Sequence, residues 1–459
     1  MPTGIGPPRN GHAARVTTTD LLPAPPRAAA RRALLAGSAG NLVEWYEFGV
    51  YGCFATVIAA NFFTPQAGTG TGAGVQGGAE ALVATYASFA LAFFFRPVGA
   101  LLFGRIGDRF GRRPALVLVI GLMTLATTLI GLLPTRADIG AAAPWLLTFL
   151  RVLQGLSAGG EFGGAVSLMA EYAPPGRRGL YGAWQSFTVA LGLLAGAATA
   201  AALATALPAA ALYAWGWRIP FLLALPLGAV ALWLRTALEE PPAAAAAPAA
   251  AAVTDPARTT GVREQARAVL LGIGRIMGWS AAGYTLLVVL PSHLQSALGA
   301  SFRDALLAAT LVNLGFAASI LPAGLLSDRI GRRPVMLGGA LGVAVLAIPL
   351  LHVLQSPGAS TQARIAAVLT AGALVGLLAG PGPAMLAEMF PRRVRCTGLG
   401  LSYALANAVF SGCAGLLITA LTARTGNTAV PAHYAAAACA LSVPALLTLR
   451  GNDHREPLR

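Results

Sequence analysis

Twelve apolar runs, each close to the ~20 residues a helix needs to cross a bilayer, dominate this 459-residue chain. They fall near 34–60, 81–104, 114–133, 144–170, 180–206 and 217–236, and then near 267–290, 304–326, 334–354, 364–387, 398–422 and 430–449. Hydrocarbon offers no partner to a backbone N–H or C=O, so runs of this length are expected to be helices. Composition agrees: 56% of the residues are hydrophobic and 11% charged, whereas soluble domains carry about 25% charged residues. The expected fold class is an all-α membrane protein of twelve transmembrane helices.

The runs divide six and six around "EEPPAAAAAPAAAAVTDPARTTGVREQAR", an Ala/Pro-rich stretch with scattered charge that reads as a flexible linker. The expected organisation is a disordered cytoplasmic arm at 1–33, a six-helix bundle at 34–236, a linker at 237–266, a second bundle at 267–450 and a short tail at 451–459. The arm is rich in Pro, Ala and Arg and has no apolar core of signal-peptide type.

The net charge of +15 comes with 32 arginines and no lysine. The arginines cluster in short loops between apolar runs, which is a membrane-topology pattern and not a nucleic-acid surface. Arg27, Arg31 and Arg32 precede the first run, and Arg105, Arg109, Arg112 and Arg113 follow the second. Arg177 and Arg178 follow the fourth, Arg329, Arg332 and Arg333 the eighth, and Arg392, Arg393 and Arg395 the tenth. Intervening loops hold none or one, so both termini and the linker are expected on the cytoplasmic side of the inner membrane, the chain acting as a monomer in the lipid bilayer.

An internal repeat marks the halves. "GRIGDRFGRRP" begins at Gly104 and "GLLSDRIGRRP" at Gly324, 220 residues later, with seven of eleven positions identical. A weaker echo joins "AEYAPPGRRGLYG" to "AEMFPRRVRCTGLG". Two six-span halves of the same orientation are parallel repeats, with a substrate path between them.

Within the spans, ionisable residues are expensive and mark function. Glu44 and Glu47 lie in "GNLVEWYEFGVYG" with no basic neighbour, and each would cost about 2.5–3.5 kcal/mol if ionised at the membrane centre. Two acids three residues apart disfavour double ionisation, which suits a proton-coupling site; the plainer alternative is that one pairs with an arginine on another helix. Tyr51, four residues past Glu47, is placed to hydrogen-bond it. Arg96 and Arg151, at membrane depth, have a planar fork that suits a substrate carboxylate or a protein carboxylate equally. Arg96 with Glu44 or Glu47, and Arg151 with Glu161, are the structural alternatives, and Gln154, Tyr51 and Glu161 are further substrate-binding candidates. The second half has only Arg275 well inside a span, so recognition is expected to concentrate in the first.

Asp108 and Asp328 lie in the repeated basic turns. Gly104, Arg109, Gly111 and Arg112, with Gly324, Arg329, Gly331 and Arg332, are expected to form a gate in which arginines bridge to the aspartate in one conformation and release it in the other. Glu171 and Glu388, in the other repeated element, are expected to join it. Gly159, Gly160, Gly163 and Gly164 read as a close-packing face inside an apolar helix. With no lysine there is no Walker-type phosphate loop, so ATP-driven transport is not expected. Cys53, Cys396, Cys413 and Cys439 have no paired spacing, and His293, His352 and His433 are isolated, so no metal, cofactor or enzymatic constellation is expected.

At these residues the chain resembles the major facilitator superfamily. "GNLVEWYEFGVYG" with "FFFRPVGALLFGRIGDRFGRR" is similar to its metabolite:proton symporter family, and "RVLQGLSAGGEFGGAVSLMAEYAPPGRRG" and "AEMFPRRVRCTGLGLSYALANAVFSG" carry the likeness into both halves, over about 34–449. The resemblance implies the major facilitator fold and proton-coupled uptake of proline, betaine, shikimate, citrate, 2-oxoglutarate or related small solutes. Glu47 stands where the family usually has aspartate. The tail "GNDHREPLR" lacks the coiled coil of some osmosensing members, which weighs against that role, although "YTLLVVLPSHLQ" is similar to the proline/betaine branch. The competing readings are a proton-driven drug or metabolite exporter, disfavoured for cationic drugs by the buried arginines, and a solute sensor that does not transport.

Overall fold

The computed structural model describes residues 27–64, 75–110, 112–159, 161–174, 176–236, 262–391 and 394–451. The expected arm up to residue 26, linker residues 237–261 and the tail from 452 lie outside the described residues. The described chain is helical, with no strand among the described residues.

Twelve helical spans follow one another among the described residues. In the first half they are α1 (Arg27–Cys53, continued by Ala55–Ile58 and a π-helical turn at Ala59–Phe63), α2 (Val75–Phe110) and α3 (Arg112–Leu132). α4 (Ala142–Ala158 with Glu161–Tyr172), α5 (Arg178–Ala206) and α6 (Arg218–Thr236, after a π turn at Leu212–Gly216) complete it. In the second half α7 runs through Val262–Gly283, a π turn at Tyr284–Val289 and Leu290–Ser296, and is followed by α8 (Phe302–Ile330) and α9 (Arg332–Gln355). α10 (Thr361–Ala379 with Gly382–Met389), α11 (Arg395–Ala406, a π turn at Asn407–Gly412, then Ala414–Thr425) and α12 (Val430–Leu447) close the fold. Exposed Leu, Trp and Val side chains such as Trp145, Trp233, Leu101 and Val345 cover the outside, as lipid-facing helices require.

Small residues let the helices approach closely enough to enclose a site. α2 and α4 meet at Gly99, Gly155 and Gly159, where an added Cβ would collide with the backbone carbonyls of Leu156, Ala92 and Arg96 respectively. Between apolar helices in lipid there is no hydrophobic driving force, so such backbone contact supplies the association through close packing. Gly159 belongs to the glycine-rich run in the sequence, and it packs directly behind Arg96. Gly163 from the same run faces α11, where an added Cβ would lie 2.7 Å from the carbonyl oxygen of Cys396.

The two halves are joined through α1 with α7, α5 with α8, and α2 and α4 with α11. At one end of the path Tyr86 and Ser292 hydroxyls bond at 2.7 Å, Thr56 donates to Gln295 Oε1 at 2.8 Å, and the Phe54 and Phe302 rings lie 5.8 Å apart. At the other end, beside the arginine-rich loops, α5 of one half lies on α8 of the other, where Gly179 and Gly324 face each other. Both ends of the path between the halves are therefore closed.

Gly155→Ala forces a methyl group onto the Ala92 carbonyl and should destabilise the detergent-purified protein by about 1–3 kcal/mol, read as a lower melting temperature. Gly121, in α3, has open space around it, so Gly121→Ala should be neutral or stabilising by up to about 1 kcal/mol. Equal melting temperatures for the two variants would contradict this packing account.

Candidate functional site

α1 is the helix on which the site is built, because successive turns present Glu44, Glu47 and Tyr51 to different neighbours. Glu44 turns to α2, where Arg96 Nη2 lies 3.3 Å from its Oε1. The Arg96 guanidinium also lies over the rings of Phe93 at 4.1 Å and Phe48 at 4.7 Å, so an aromatic floor compensates part of its desolvation. Pro97 follows Arg96 within α2; lacking an N–H, it leaves the Phe93 carbonyl without its helical donor.

Glu47 turns to α3 and makes no ion pair among the described residues. Its Oε2 is hydrogen-bonded with the Thr127 hydroxyl, while its Oε1 is buried without a hydrogen-bond partner. Thr127 Oγ1 in turn accepts from Gln154 Nε2 at 2.5 Å, and Gln154 Oε1 accepts from Arg151 Nη1 at 2.6 Å. Arg151 is thus linked to Glu47 through two intervening side chains. Its Nε and Nη2 are buried and have no hydrogen-bond partner. Its guanidinium lies over Tyr51 at 4.0 Å, Phe89 at 4.8 Å and Phe48 at 5.1 Å.

Tyr51 does not bond Glu47. Its hydroxyl meets Ser88 Oγ at 2.8 Å and the Thr85 carbonyl at 3.4 Å. The four-residue spacing from Glu47 puts both on one side of α1, but the long phenol reaches past the carboxylate to α2 and lends Arg151 its ring face. The side chain of Glu161 lies outside the described residues, so the expected Arg151–Glu161 pairing is left to experiment.

The second half contributes rings and amides. A cavity of about 30 Å³ is lined by Trp45, Trp279, Tyr284, Tyr403 and Asn407 together with Phe316. A second, of about 20 Å³, is lined by Glu44, Arg96, Trp45, Phe162 and Tyr403. Each has room for a water or two, so a solute-loaded state must be wider. Tyr284 and Asn407 sit in the π turns of α7 and α11, irregularities that widen a helix and recur at functional sites. Phe162 of α4 stacks on Tyr403 of α11 with centroids 3.4 Å apart, joining the two halves beside the second cavity. Arg275 donates to the Ala445 carbonyl and to Thr448, which ties α7 to α12.

The arginine-rich loops carry a crossed set of ion pairs between the halves. Asp328 at the end of α8 accepts the backbone N–H of Gly179 at 2.7 Å and of Leu180 at 2.9 Å, so a carboxylate of the second half caps the N-terminus of α5 in the first. Arg332 bridges Asp328 at 2.8 Å and Glu388 at 3.0 Å. Arg178 of the first half pairs with Glu388 of the second at 3.3 Å, and Glu171 of the first pairs with Arg395 of the second at 3.0 Å. Glu171 and Arg178 are seven residues apart, as are Glu388 and Arg395, so the two cross-half pairs are images of each other. Gly331 has φ 96° at the α8–α9 turn, a conformation glycine adopts without strain. Arg329 is exposed. In the first copy of the motif the side chains of Gly104, Asp108, Gly111 and Arg112 lie outside the described residues, and Arg109 lies over Phe110 at 5.4 Å.

Sequence reasoning missed Thr127, Ser88, Tyr284, Tyr403 and the pairing roles of Arg178 and Arg395. The last two carried a signal: they hold equivalent places in the weaker repeat. Thr127 carried none, being one of several threonines in an apolar run.

Comparison with known proteins agrees with this architecture. Family models described as "Sugar (and other) transporter" and "Major Facilitator Superfamily" match residues 33–244 and 268–459. The ectoine/proline transporter ProP of Corynebacterium glutamicum is 35% identical over 96% of this chain and 88% of its own length. The chain belongs to the major facilitator superfamily, among its metabolite:proton symporters. The alpha-ketoglutarate permease of Escherichia coli strain K12 is 36% identical over 83% of this chain and 85% of its own length. Among solved structures, the proton:xylose symporter XylE bound to 6-bromo-6-deoxy-D-glucose superposes with a TM-score of 0.73, covering 92% of this chain and 95% of that one at 21% identity. The likeness to XylE is one of fold. As a member of this superfamily the chain is a multi-pass secondary transporter and not an enzyme.

A single cysteine placed by Ala404→Cys in a chain whose native cysteines are serine reports on the second cavity from the cytoplasmic side. Glu171→Arg should raise its labelling rate by a membrane-impermeant maleimide added on that side, several-fold, and Glu171→Arg with Arg395→Glu should return it towards the starting value. Unchanged labelling in the single variant would leave the crossed pairs without a gating role.

Proposed function

We propose that this chain takes up a small zwitterion or carboxylate together with protons by alternating access, with Glu47 as the proton carrier. The observation that carries the reading is a fully buried carboxyl with no contact ion pair among the described residues, linked through Thr127 and Gln154 to an arginine with two unfilled donors. An ionised carboxylate in that position pays for desolvation with one hydrogen bond, whereas the neutral acid does not. Glu47 therefore holds its proton while the site is closed and dry, and gives it up when the path opens to cytoplasmic water. The family of relatives that includes an ectoine/proline transporter and an alpha-ketoglutarate permease supports uptake of small metabolites of this class.

Recognition concentrates in the first half. Glu44 and Arg96 line a cavity with Trp45, Phe162 and Tyr403. An ion pair on a cavity wall presents both signs, and a zwitterion matches both: carboxylate to Arg96, cationic group to Glu44 and the ring faces. A dicarboxylate satisfies only one of them. Arg151, with Nε and Nη2 unfilled, is the second carboxylate site, reached when the aromatic wall of Phe48 and Phe89 shifts. The arginine-rich loops favour the cytoplasmic membrane with both termini inside. The first six spans and the last six act as two bundles, 34–236 and 267–450, rocking about the site within one monomer.

In proteoliposomes, Glu47→Gln should abolish proton-driven accumulation and keep substrate exchange. Undiminished accumulation in that variant would remove Glu47 from the role. The ion pair has its own test, a double-mutant cycle of thermal stability. Arg96→Gln alone should destabilise by about 3–5 kcal/mol by leaving Glu44 buried and uncompensated, and Glu44→Gln in the same chain should recover most of that. Proline or betaine added to the wild type should raise the melting temperature more than 2-oxoglutarate does, and the reverse order would assign the site to carboxylates.

A further inference from the structure

We propose that the Thr127 hydroxyl is the positioning group that lets Glu47 exchange its proton inside a dry core, by turning its one hydrogen between two acceptors. This rests on Glu47 being the proton carrier. Thr127 Oγ1 lies within hydrogen-bond reach of three groups: Glu47 Oε2, Gln154 Nε2 at 2.5 Å and the Met123 carbonyl at 3.0 Å. Two of the three have fixed roles, since an amide N–H only donates and a carbonyl only accepts. Glu47 is the one that changes.

An ionised Glu47 can only accept, so the hydroxyl hydrogen points at Oε2. When Glu47 carries its proton on Oε2, the acid donates to Oγ1 and the hydroxyl hydrogen turns to the Met123 carbonyl. Oγ1 then accepts from Gln154 and from Glu47, using both lone pairs. No proton other than the one on Glu47 is gained or lost, and the rearrangement is a rotation about a single C–O bond. Oε2, the Thr127 hydroxyl and Gln154 Nε2 are therefore hydrogen-bonded in both states of the carboxyl, while Glu47 Oε1 stays without a partner in either.

The far end of the set fixes its direction. Arg151 can only donate, so Gln154 Oε1 faces it and Gln154 Nε2 is held towards Thr127. The charged groups around Glu47 are Glu44 on its own helix, held by Arg96 of α2, and Arg151 of α4. α3 brings the Thr127 hydroxyl, Tyr46 stands beside Glu47 on α1, and on α5 the hydroxyl of Thr188 is engaged with Asn41 of α1. Arg218, at the start of α6, is bonded to the carbonyls of Gly131 and Leu133. Thr127 is thus the group through which the field of Arg151 reaches Glu47 by direct hydrogen bonds.

Thr127→Val keeps the volume and removes donor and acceptor together, whereas Thr127→Ser keeps both. A hydrogen bond to the ionised acid is stronger than one to the neutral acid. Its loss should therefore move the pH profile of uptake in proteoliposomes to higher pH, by about 1 unit. T127S should match the wild-type profile. Should T127V fail to reach the membrane, T127A carries the same test. A T127V or T127A profile superimposable on wild type would overturn the proposal, as would T127S shifted as far as T127V. E47Q run alongside separates the two levels. Accumulation surviving in E47Q removes the reading on which the proposal rests, and accumulation lost in E47Q with a wild-type T127V profile removes the hydroxyl alone.

Discussion

A carboxyl group held in a dry membrane core without a contact counter-ion among the described residues constrains everything around it. Glu47 has one hydrogen-bond partner and one unfilled oxygen, so its charge state depends on whether water can reach it. Water reaches it only if one end of the path opens, and both ends are closed here. The rings of Phe48, Phe89, Phe93 and Tyr284 pack in tilted and edge-on contacts with centroids 5.2–6.1 Å apart. Phe48 and Phe93 offer their faces to Arg96, and Phe48 and Phe89 to Arg151. One set of rings thus makes both cations tolerable inside the membrane.

The two closures are built from different physics. One uses neutral hydroxyl and amide bonds with ring contacts, among them Tyr86 to Ser292 and Thr56 to Gln295. The other, among the arginine-rich loops, is ionic: Asp328, Arg332, Glu388 and Arg178 form one cluster, and Glu171 with Arg395 another. Charged pairs at the membrane face can exchange partners with water at modest cost, because solvation offsets what the pair loses. The same pairs at the depth of Glu44 and Arg96 cannot. The loop ion pairs can therefore part at lower cost than the buried Glu44–Arg96 pair.

Composition, run length and arginine placement made the membrane fold legible, because hydrocarbon imposes them on any sequence that spans it. The repeat of Glu171–Arg178 at Glu388–Arg395 encodes the crossed ion pairs, since two-fold related halves turn one repeated pair into two cross-half pairs. The partner of Glu44 was among the alternatives because a buried acid needs a cation and the first half offers two. What the sequence did not carry was the separation of Glu44 from Glu47. A turn of helix sends the first to α2 and the second to α3, and which neutral side chain meets the second depends on helix packing. Thr127 and Gln154 are ordinary residues for an apolar helix, and only their alignment gives them a role. Tyr51 illustrates the same limit: its spacing from Glu47 was right for contact, and its length carries the hydroxyl past the acid to Ser88.

The central claim is that the proton crosses on Glu47 with the solute. The most direct measurement is proton movement itself, followed with a pH-sensitive dye trapped inside proteoliposomes when proline or betaine is added outside with no imposed pH gradient. The account predicts that the lumen acidifies in step with solute entry for the wild type, and that E47Q exchanges labelled solute with no acidification. Solute entry into wild-type vesicles without any proton, or acidification that persists in E47Q, would contradict it.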